Sequence, residues 1–362
     1  METNMWALVI SGLLVGIITG WVLQRGRYCM NSAFRDVIFI NDLTLFKAYI
    51  LALIVVTIGA NLLEDIGVIE ALRRQAFLPV ANIIGGYVFG MGIVLAGGCG
   101  SGVWYRVGEG QFNAVVAVLG FMIGIFVTEN GILKPVYDFL GNLGVWKTSE
   151  GWKVMTWAQL EEYPGDVSAP TLYDLVHSIT GGNPLVVKWV VIGVLAIAGL
   201  VFISRGGVQK PKKGYSWPVA GILIGLVVTL AWFASEKWGG GARGVSYTGP
   251  TKELFAFLMV GKKPTWGSML VLGTPIGAYI SAKLLNEFKW KAPGVEELLR
   301  VFVGGLIMGF GARIGGGCNV GHGITGVSTL ALSSIVATIF IILGNWTMVY
   351  FLFIKPMKDM DI

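Results

Sequence analysis

One eighteen-residue, glycine-rich sentence is written twice in this chain: residues 85–102 read GGYVFGMGIVLAGGCGSG and residues 304–321 read GGLIMGFGARIGGGCNVG. Cys318 stands 219 positions after Cys99, and the same offset pairs Gly85 with Gly304, Gly92 with Gly311 and Gly97 with Gly316. Chance pairing, even in a Gly-rich chain, hardly keeps eight identities in one register. The duplication constrains the chain to two related halves, each presenting a thiol on backbone stripped of side chains.

The halves belong in a membrane. With 54% hydrophobic and only 13% charged residues, and a mean hydropathy of +0.71, the chain cannot clothe a water-facing surface. A spanning helix needs roughly 20 apolar residues, and nearly uncharged runs fall at 5–23, 48–63, 75–105, 111–128, 189–204, 214–235, 264–282 and 314–354. The two longest, 75–105 and 314–354, carry the Cys motifs, and each reads as helix, broken loop, helix. Irregular backbone at membrane depth survives only where protein shields it or where it lines an aqueous cavity, so a broken segment implies a pathway. The first run lacks a basic leader and a small-residue cleavage site and is expected to be retained. The net charge of +6 sits in short loops such as 205–213, which positive-inside asymmetry explains better than nucleic acid does.

Counting each long run as one span plus re-entrant pieces gives an all-α integral membrane protein. It would have about nine transmembrane helices and four re-entrant half-helix loops. The repeat extends upstream: Ile58-Gly59-Ala60 meets Ile276-Gly277-Ala278 at an offset of 218, and Gly12 and Gly16 meet Gly221 and Gly225 at 209. Four spans, one connector and four spans make the repeats inverted, a frequent transporter architecture whose site forms at discontinuous helices near mid-membrane. The expected divisions are a first membrane repeat (1–130), an extramembrane connecting loop (131–185), a connector helix and basic loop (186–213) and a second membrane repeat (214–362). A cytoplasmic 205–213 loop puts the N-terminus outside and the C-terminus inside, although 236–263, with Lys237, Arg243, Lys252, Lys262 and Lys263, then lies outside against the charge rule. The connecting loop shows no chemistry of its own.

Around Cys99 and Cys318 the glycines permit tight and left-handed backbone and let a solute approach amide N–H groups. A helix starting just after each Cys would aim its unpaired N–H groups and positive dipole end at the loop, a natural anion site. A thiol there can donate S–H to a soft acceptor or, as thiolate, attack an electrophile, and soft sulfur suits a sulfur- or selenium-containing solute. Gly85, Gly86, Gly90 and Gly92 read instead as close helix packing. Cys29, in QRGRYCMNS after the first apolar run, is either a third site thiol or a juxtamembrane cysteine beside the anchoring Arg25 and Arg27. Its repeat mate falls near Trp238, before three glycines, so four loop positions are suggested and three bear thiols. Arg313, embedded in an apolar run where the first half has Val94, should face a carboxylate, backbone carbonyls or the pathway. Arg106 and Glu109 are expected to pair at i, i+3. His322, in place of Val103, is a polar lining residue or a satisfied core histidine.

Three strings, QRGRYCMNSAFRD (24–36), GGYVFGMGIVLAGGCGSGVWYRVGEG (85–110) and GGLIMGFGARIGGGCNVGHG (304–323), together resemble the YeeE/YedE family of bacterial inner-membrane proteins, which includes thiosulfate importers. The resemblance implies an hourglass of nine spanning helices with four half-helix loops meeting at the middle, in a multi-pass inner-membrane protein. It implies that three cysteines, here Cys29, Cys99 and Cys318, contact thiosulfate through S–H hydrogen bonds. It also implies a small soluble sulfurtransferase-like (TusA-like) partner that accepts the solute on the cytoplasmic side. Arg313 and His322 depart from the family pattern, and members are also linked to selenium uptake.

The expected function is import of thiosulfate, or a related small sulfur or selenium anion, without chemical change. Cys29, Cys99 and Cys318 would hold the sulfur, Gly98, Gly100, Gly317 and Asn319 the oxygens, and Arg25, Arg27 and Arg313 would steer the anion. The alternatives are a selenium-compound (selenite) transporter of the same family and a membrane Cys-dependent sulfurtransferase or oxidoreductase. The absence of CxxC and of a redox-cofactor motif counts against an enzyme, and a structural or receptor protein has no use for thiols in broken loops. Three cysteines and two histidines favour neither a disulfide framework nor a zinc site, and no GxxxxGK[ST] loop marks ATP hydrolysis. No cofactor, metal or nucleic acid is expected, and membrane lipid is the remaining neighbour.

Overall fold

The computed structural model describes residues 4–206 and 214–359, so most of the basic 205–213 loop lies outside the described residues. The N-terminal part of the chain carries α1 (Met5–Arg25), α2 (Met30–Phe39), α3 (Thr44–Asp65), α4 (Pro79–Leu95), α5 (Gly100–Gly108) and α6 (Phe112–Asn130). The connecting segment holds α7 (Lys134–Gly141), β1 (Leu143–Thr148), β2 (Gly151–Thr156), α8 (Trp157–Glu161), β3 (Val167–Ser168) and α9 (Leu172–Thr180), and α10 (Pro184–Ser204) follows it. The C-terminal part has α11 (Trp217–Trp238), α12 (Thr248–Val260), α13 (Trp266–Leu284), α14 (Val295–Gly315), a π-helical turn (Gly321–Gly326) and α15 (Leu332–Val349). A second π-helical turn (Tyr350–Ile354) leads into α16 (Lys355–Asp359).

Eight segments among the described residues are long and apolar enough to cross a membrane, which makes this an all-α, multi-pass integral membrane protein. Helix α13 has the length of a span, but Gly, Ser, Thr and Pro dilute its apolar run. The connecting segment is more ordered than a loop: its strands form a small antiparallel sheet in the order β2-β1-β3. An ion pair between Lys147 and Asp174 ties this sheet to α9, and Leu172 N–H donates to the Leu330 carbonyl at 2.8 Å, binding α9 to the turn before α15.

Glycine lets the two halves interlock backbone against backbone. A Cβ built on Gly85 would lie 2.1 Å from Gly315 N, and one on Gly304 would lie 2.3 Å from Ala96 N. Likewise Gly92 abuts Met308 N at 2.5 Å and Gly311 abuts Phe89 N at 2.3 Å. Each second contact is the first with its partners exchanged at the 219 offset, the pattern of a self-complementary interface about a two-fold axis. Here that interface joins α4 to α14. The other offsets behave alike: a Cβ on Gly12 would meet Trp266 O at 2.6 Å and one on Gly221 would meet Ala48 O at 2.7 Å, where 221 follows 12 by 209 and 266 follows 48 by 218. Helix α1 therefore packs on α13 as α11 packs on α3, and each half supplies helices to the other's bundle. Gly85, Gly90 and Gly92 are packing glycines, as their spacing suggests.

Candidate functional site

Both long runs break at their glycines. Gly97 and Gly316, mates at the 219 offset, have φ of +71° and +87°, a left-handed conformation that costs an L side chain about 1–2 kcal/mol. A Cβ on Gly97 would meet no atom within 4 Å, so conformation and not space demands glycine there. Helix restarts at the cysteines: Gly102 N–H donates to Cys99 Sγ at 3.3 Å and Gly321 N–H donates to Cys318 Sγ at 3.4 Å. Each sulfur stands where an N-cap oxygen usually does, against the unpaired N–H groups of the first turn. Arg106 reaches back to donate to the Gly97 carbonyl instead of closing onto Glu109. In the second half His322 takes that place, with Nε2 2.8 Å from Gly315 O and Nδ1 3.1 Å from Ser334 Oγ. It is a satisfied core histidine.

Two more breaks separate α1 from α2 and α11 from α12. Arg27 is left-handed at φ +46°, and Gly240 and Gly241 have φ of +77° and +133°. The residue that caps α2 is Cys29, and the residue in the same place before α12 is Tyr247, not Trp238. The expected mate is thus corrected. The repeat offset rises from 209 to 218 between the end of α11 and α12, because α11 runs four residues further than α1 and the loop after it has nine residues against four, and 247 is 218 beyond 29.

The starts of these short helices meet. Cys29 Sγ lies 3.6 Å from Cys99 Sγ, and all three cysteines are fully buried. A Cβ on Gly102 would come within 2.7 Å of Cys29 Sγ, and one on Gly100 would come within 3.3 Å of Tyr247 Cβ and 3.7 Å of Cys318 Sγ. The first turn of α5 is therefore the place where all three thiols gather. A cavity of about 20 Å³ lies near them, lined by Tyr28, Ser101, Tyr247 and Val320, one residue from each break, together with apolar side chains of α1 and α11 and by none of the cysteines.

Sequence reasoning missed several of these residues. Ser101 Oγ is 3.3 Å from Cys99 Sγ, Tyr247 OH shares a 3.0 Å hydrogen bond with Thr274 Oγ1, and the buried Tyr28 hydroxyl has no partner among the described residues. For Tyr247 the jump in offset was a usable signal; for Ser101 and Tyr28, adjacency to the cysteines was the only one. Asn319 was named, and its placement is informative: it is fully buried, and neither amide atom has a partner among the described residues. An unpaired buried amide costs about 1–3 kcal/mol, which a bound solute or water would relieve.

The remaining named residues lie as follows. A Cβ on Gly98 would meet Arg106 Nη1 at 3.2 Å, and one on Gly317 would meet the His322 ring at 2.9 Å. Arg25 stacks over the Tyr215 ring at 5.4 Å, and Arg27 is exposed and paired with Glu287 at 2.8 Å. Arg313 donates to Glu129 Oε1 at 2.8 Å and to Tyr137 OH at 2.9 Å. It also lines a polar cavity that reaches Gly316 and Gly321.

These features define a many-helix membrane protein whose buried thiols gather where its broken helices begin. A sequence family described as sulphur transport matches residues 25–347, and the chain belongs to that family. A protein named thiosulfate transporter TsuA from Spirochaeta thermophila is 38% identical over 349 residues, covering 96% of this chain and 99% of that relative. The Escherichia coli protein of the same name is 32% identical over 364 residues, covering 98% and 97%. A probable transporter YedE of Escherichia coli is 36% identical over 127 residues, covering only 33% and 31%. All three are named as transporters and none as an enzyme.

Proposed function

We propose that this protein carries thiosulfate across the membrane, unchanged, through the constriction at Cys29, Cys99 and Cys318. The observation that carries the reading is the meeting of Cys29, Cys99 and Cys318, fully buried, at the first turn of α5, in a chain similar end to end to two proteins named as thiosulfate transporters. Thiosulfate has one soft terminal sulfur and three hard oxygens. S–H groups of Cys99, Cys29 and Cys318 would take the sulfur in turn, while amide N–H groups at Gly98, Gly100 and Gly317, the Asn319 side chain and the short-helix N-termini would take the oxygens. The architecture behind this is nine spans with four re-entrant half-helices in two inverted repeats, with the N-terminus outside and the C-terminus in the cytoplasm of an inner membrane. Arg25 and Arg27 would then steer the anion on the cytoplasmic side and Arg313 on the outer side, and a soluble sulfurtransferase-like acceptor would draw it off inside.

Selenite transport and covalent sulfur transfer draw no comparable support, because the relatives matched over nearly their full length carry thiosulfate in their names. The test is uptake by proteoliposomes of thiosulfate against selenite, sulfite and sulfate, with mass spectrometry of the internal solute. Thiosulfate should accumulate intact. Absence of protein-dependent uptake, preference for selenite, or a persistent Cys–sulfur adduct would overturn the proposal.

A further inference from the structure

We propose that the apolar crevice between α3 and α10 binds one acyl chain of an anionic phospholipid, with the headgroup phosphate at Arg205. The inference stands apart from the transport reading. Helix α10 is fastened to its neighbours at both ends: near its start Lys188 pairs with Glu64 and Asp65 at 2.9 and 2.8 Å and Trp189 Nε1 donates to Asp65 at 2.8 Å. Just past its other end the Gly206 carbonyl accepts from Lys47 Nζ at 2.8 Å. Between these clasps Gly199 grazes Ile54, whose Cδ1 would lie 2.9 Å from an added Cβ, and beside that contact about 320 Å³ is left between the two helices. Held at both ends, α10 cannot close onto α3 to fill it.

The shape, depth and charge of the crevice say what fills it. Its deep end is shut by the buried Ile192 and Leu330, and its flank is open at the exposed Ile58, Leu195 and Phe202. Thr57 is the one polar side chain in the wall, too little to hold water, which needs two to four polar partners. On α10 the lining runs from Ile192 to Phe202, ten residues apart (202 − 192) and roughly 15 Å of helix, about half of the ~30 Å hydrocarbon core. That is the depth one leaflet's acyl chain reaches. At the mouth, Arg205 is exposed directly after α10, and neither it nor Lys47 has an ion-pairing carboxylate among the described residues. Asp42, ahead of α3, is taken up in capping Thr44. Uncompensated positive charge at a membrane surface favours an anionic headgroup. Val327 and Leu330 in the wall follow the π-helical turn after Cys318, so a chain in the crevice braces that stretch from behind.

The test is native mass spectrometry and thermal melting of the full-length protein, stripped of lipid in detergent and titrated with phosphatidylglycerol or phosphatidylcholine of identical chains. The parent should keep one phosphatidylglycerol per chain under activation that removes phosphatidylcholine, and should melt higher with it. Ala196→Phe, which puts a ring into the crevice, should weaken phosphatidylglycerol binding by about tenfold or more and narrow the gain in melting temperature. Arg205→Gln should lower the preference for phosphatidylglycerol about fivefold, the effect of one basic residue at a membrane surface, and Arg205→Lys should keep it. Arg205 is exposed, so its variants keep the test valid if Ala196→Phe disturbs folding. Equal retention of the two lipids by the parent, or parent-like retention of phosphatidylglycerol by Ala196→Phe or by Arg205→Gln, overturns the site.

Discussion

Adding one methyl group at Gly102 should do more harm to transport than adding one at Gly97, although only the latter strains the backbone. A Cβ on Gly102 would lie 2.7 Å from Cys29 Sγ and 3.3 Å from Cys99 Sγ, where ordinary contact is about 3.5–4.0 Å. Cys29 must retreat by about 1 Å, and a fully buried cysteine with one rotatable bond can do so only by leaving Cys99. Overpacking of this kind costs about 1–3 kcal/mol, which at 1.4 kcal/mol per decade is roughly fivefold to hundredfold in any step that needs both thiols together. At Gly97 the added Cβ meets nothing within 4 Å but must adopt φ +71°, costing about 1–2 kcal/mol of stability with the sulfurs in place. The assay is initial thiosulfate uptake per folded molecule, with folded protein quantified by size exclusion. Gly102→Ala should lose at least about fivefold, and Gly97→Ala should melt lower but transport nearly as the parent per folded molecule. Parent-like uptake by Gly102→Ala, or a larger loss in Gly97→Ala, would refute the reasoning.

Other perturbations test other parts of the structure. Glu129→Gln deprives both Arg313 and Lys252 of their carboxylate, at side-chain exposures of 25%, 38% and 17% for Arg313, Lys252 and Glu129, and should lower stability by about 1–2 kcal/mol, read as a lower melting temperature in detergent. Gly85→Val and Gly304→Val insert bulk into exchanged copies of one contact, at 2.1 Å and 2.3 Å; both should abolish monodisperse protein, and a clear difference between them would contradict the two-fold packing. Glu109, just beyond α5, has its carboxyl raised above the ordinary value by burial, against the pull of Arg106. Its ionisation therefore costs stability as pH climbs through the carboxylate range, and Glu109→Gln should gain on the parent in melting temperature from acid to neutral pH.

Much of this was legible because duplication is legible. The 219 offset between Cys99 and Cys318 reappears as exchanged contacts of Gly85 and Gly304, and Gly97 and Gly316 break their helices with the same left-handed turn. The faint match of Gly12 to Gly221 proves as physical as the strong one, since each glycine rests on a mate carbonyl. Loop length was the limit. Nine extra residues, four at the end of α11 and five in the loop after it, move the mate of Cys29 from Trp238 to Tyr247, a shift that fixed-offset matching cannot follow. Pairing across the fold was also hidden: nothing in the sequence says that Arg106 turns back to Gly97, or that Arg313 finds Glu129 184 residues away. The connecting segment misled because its acidic and aromatic residues lack the periodicity of a long element, yet six-residue strands suffice for a small sheet.

The most direct trial of the whole account is labelled-thiosulfate uptake by proteoliposomes carrying Cys29→Ala, Cys99→Ala or Cys318→Ala at equal folded protein. In the proposed reading the three thiols pass one solute along in series, so each substitution alone should bring uptake down to the protein-free background. A single variant that imports thiosulfate at the parent rate would contradict the account.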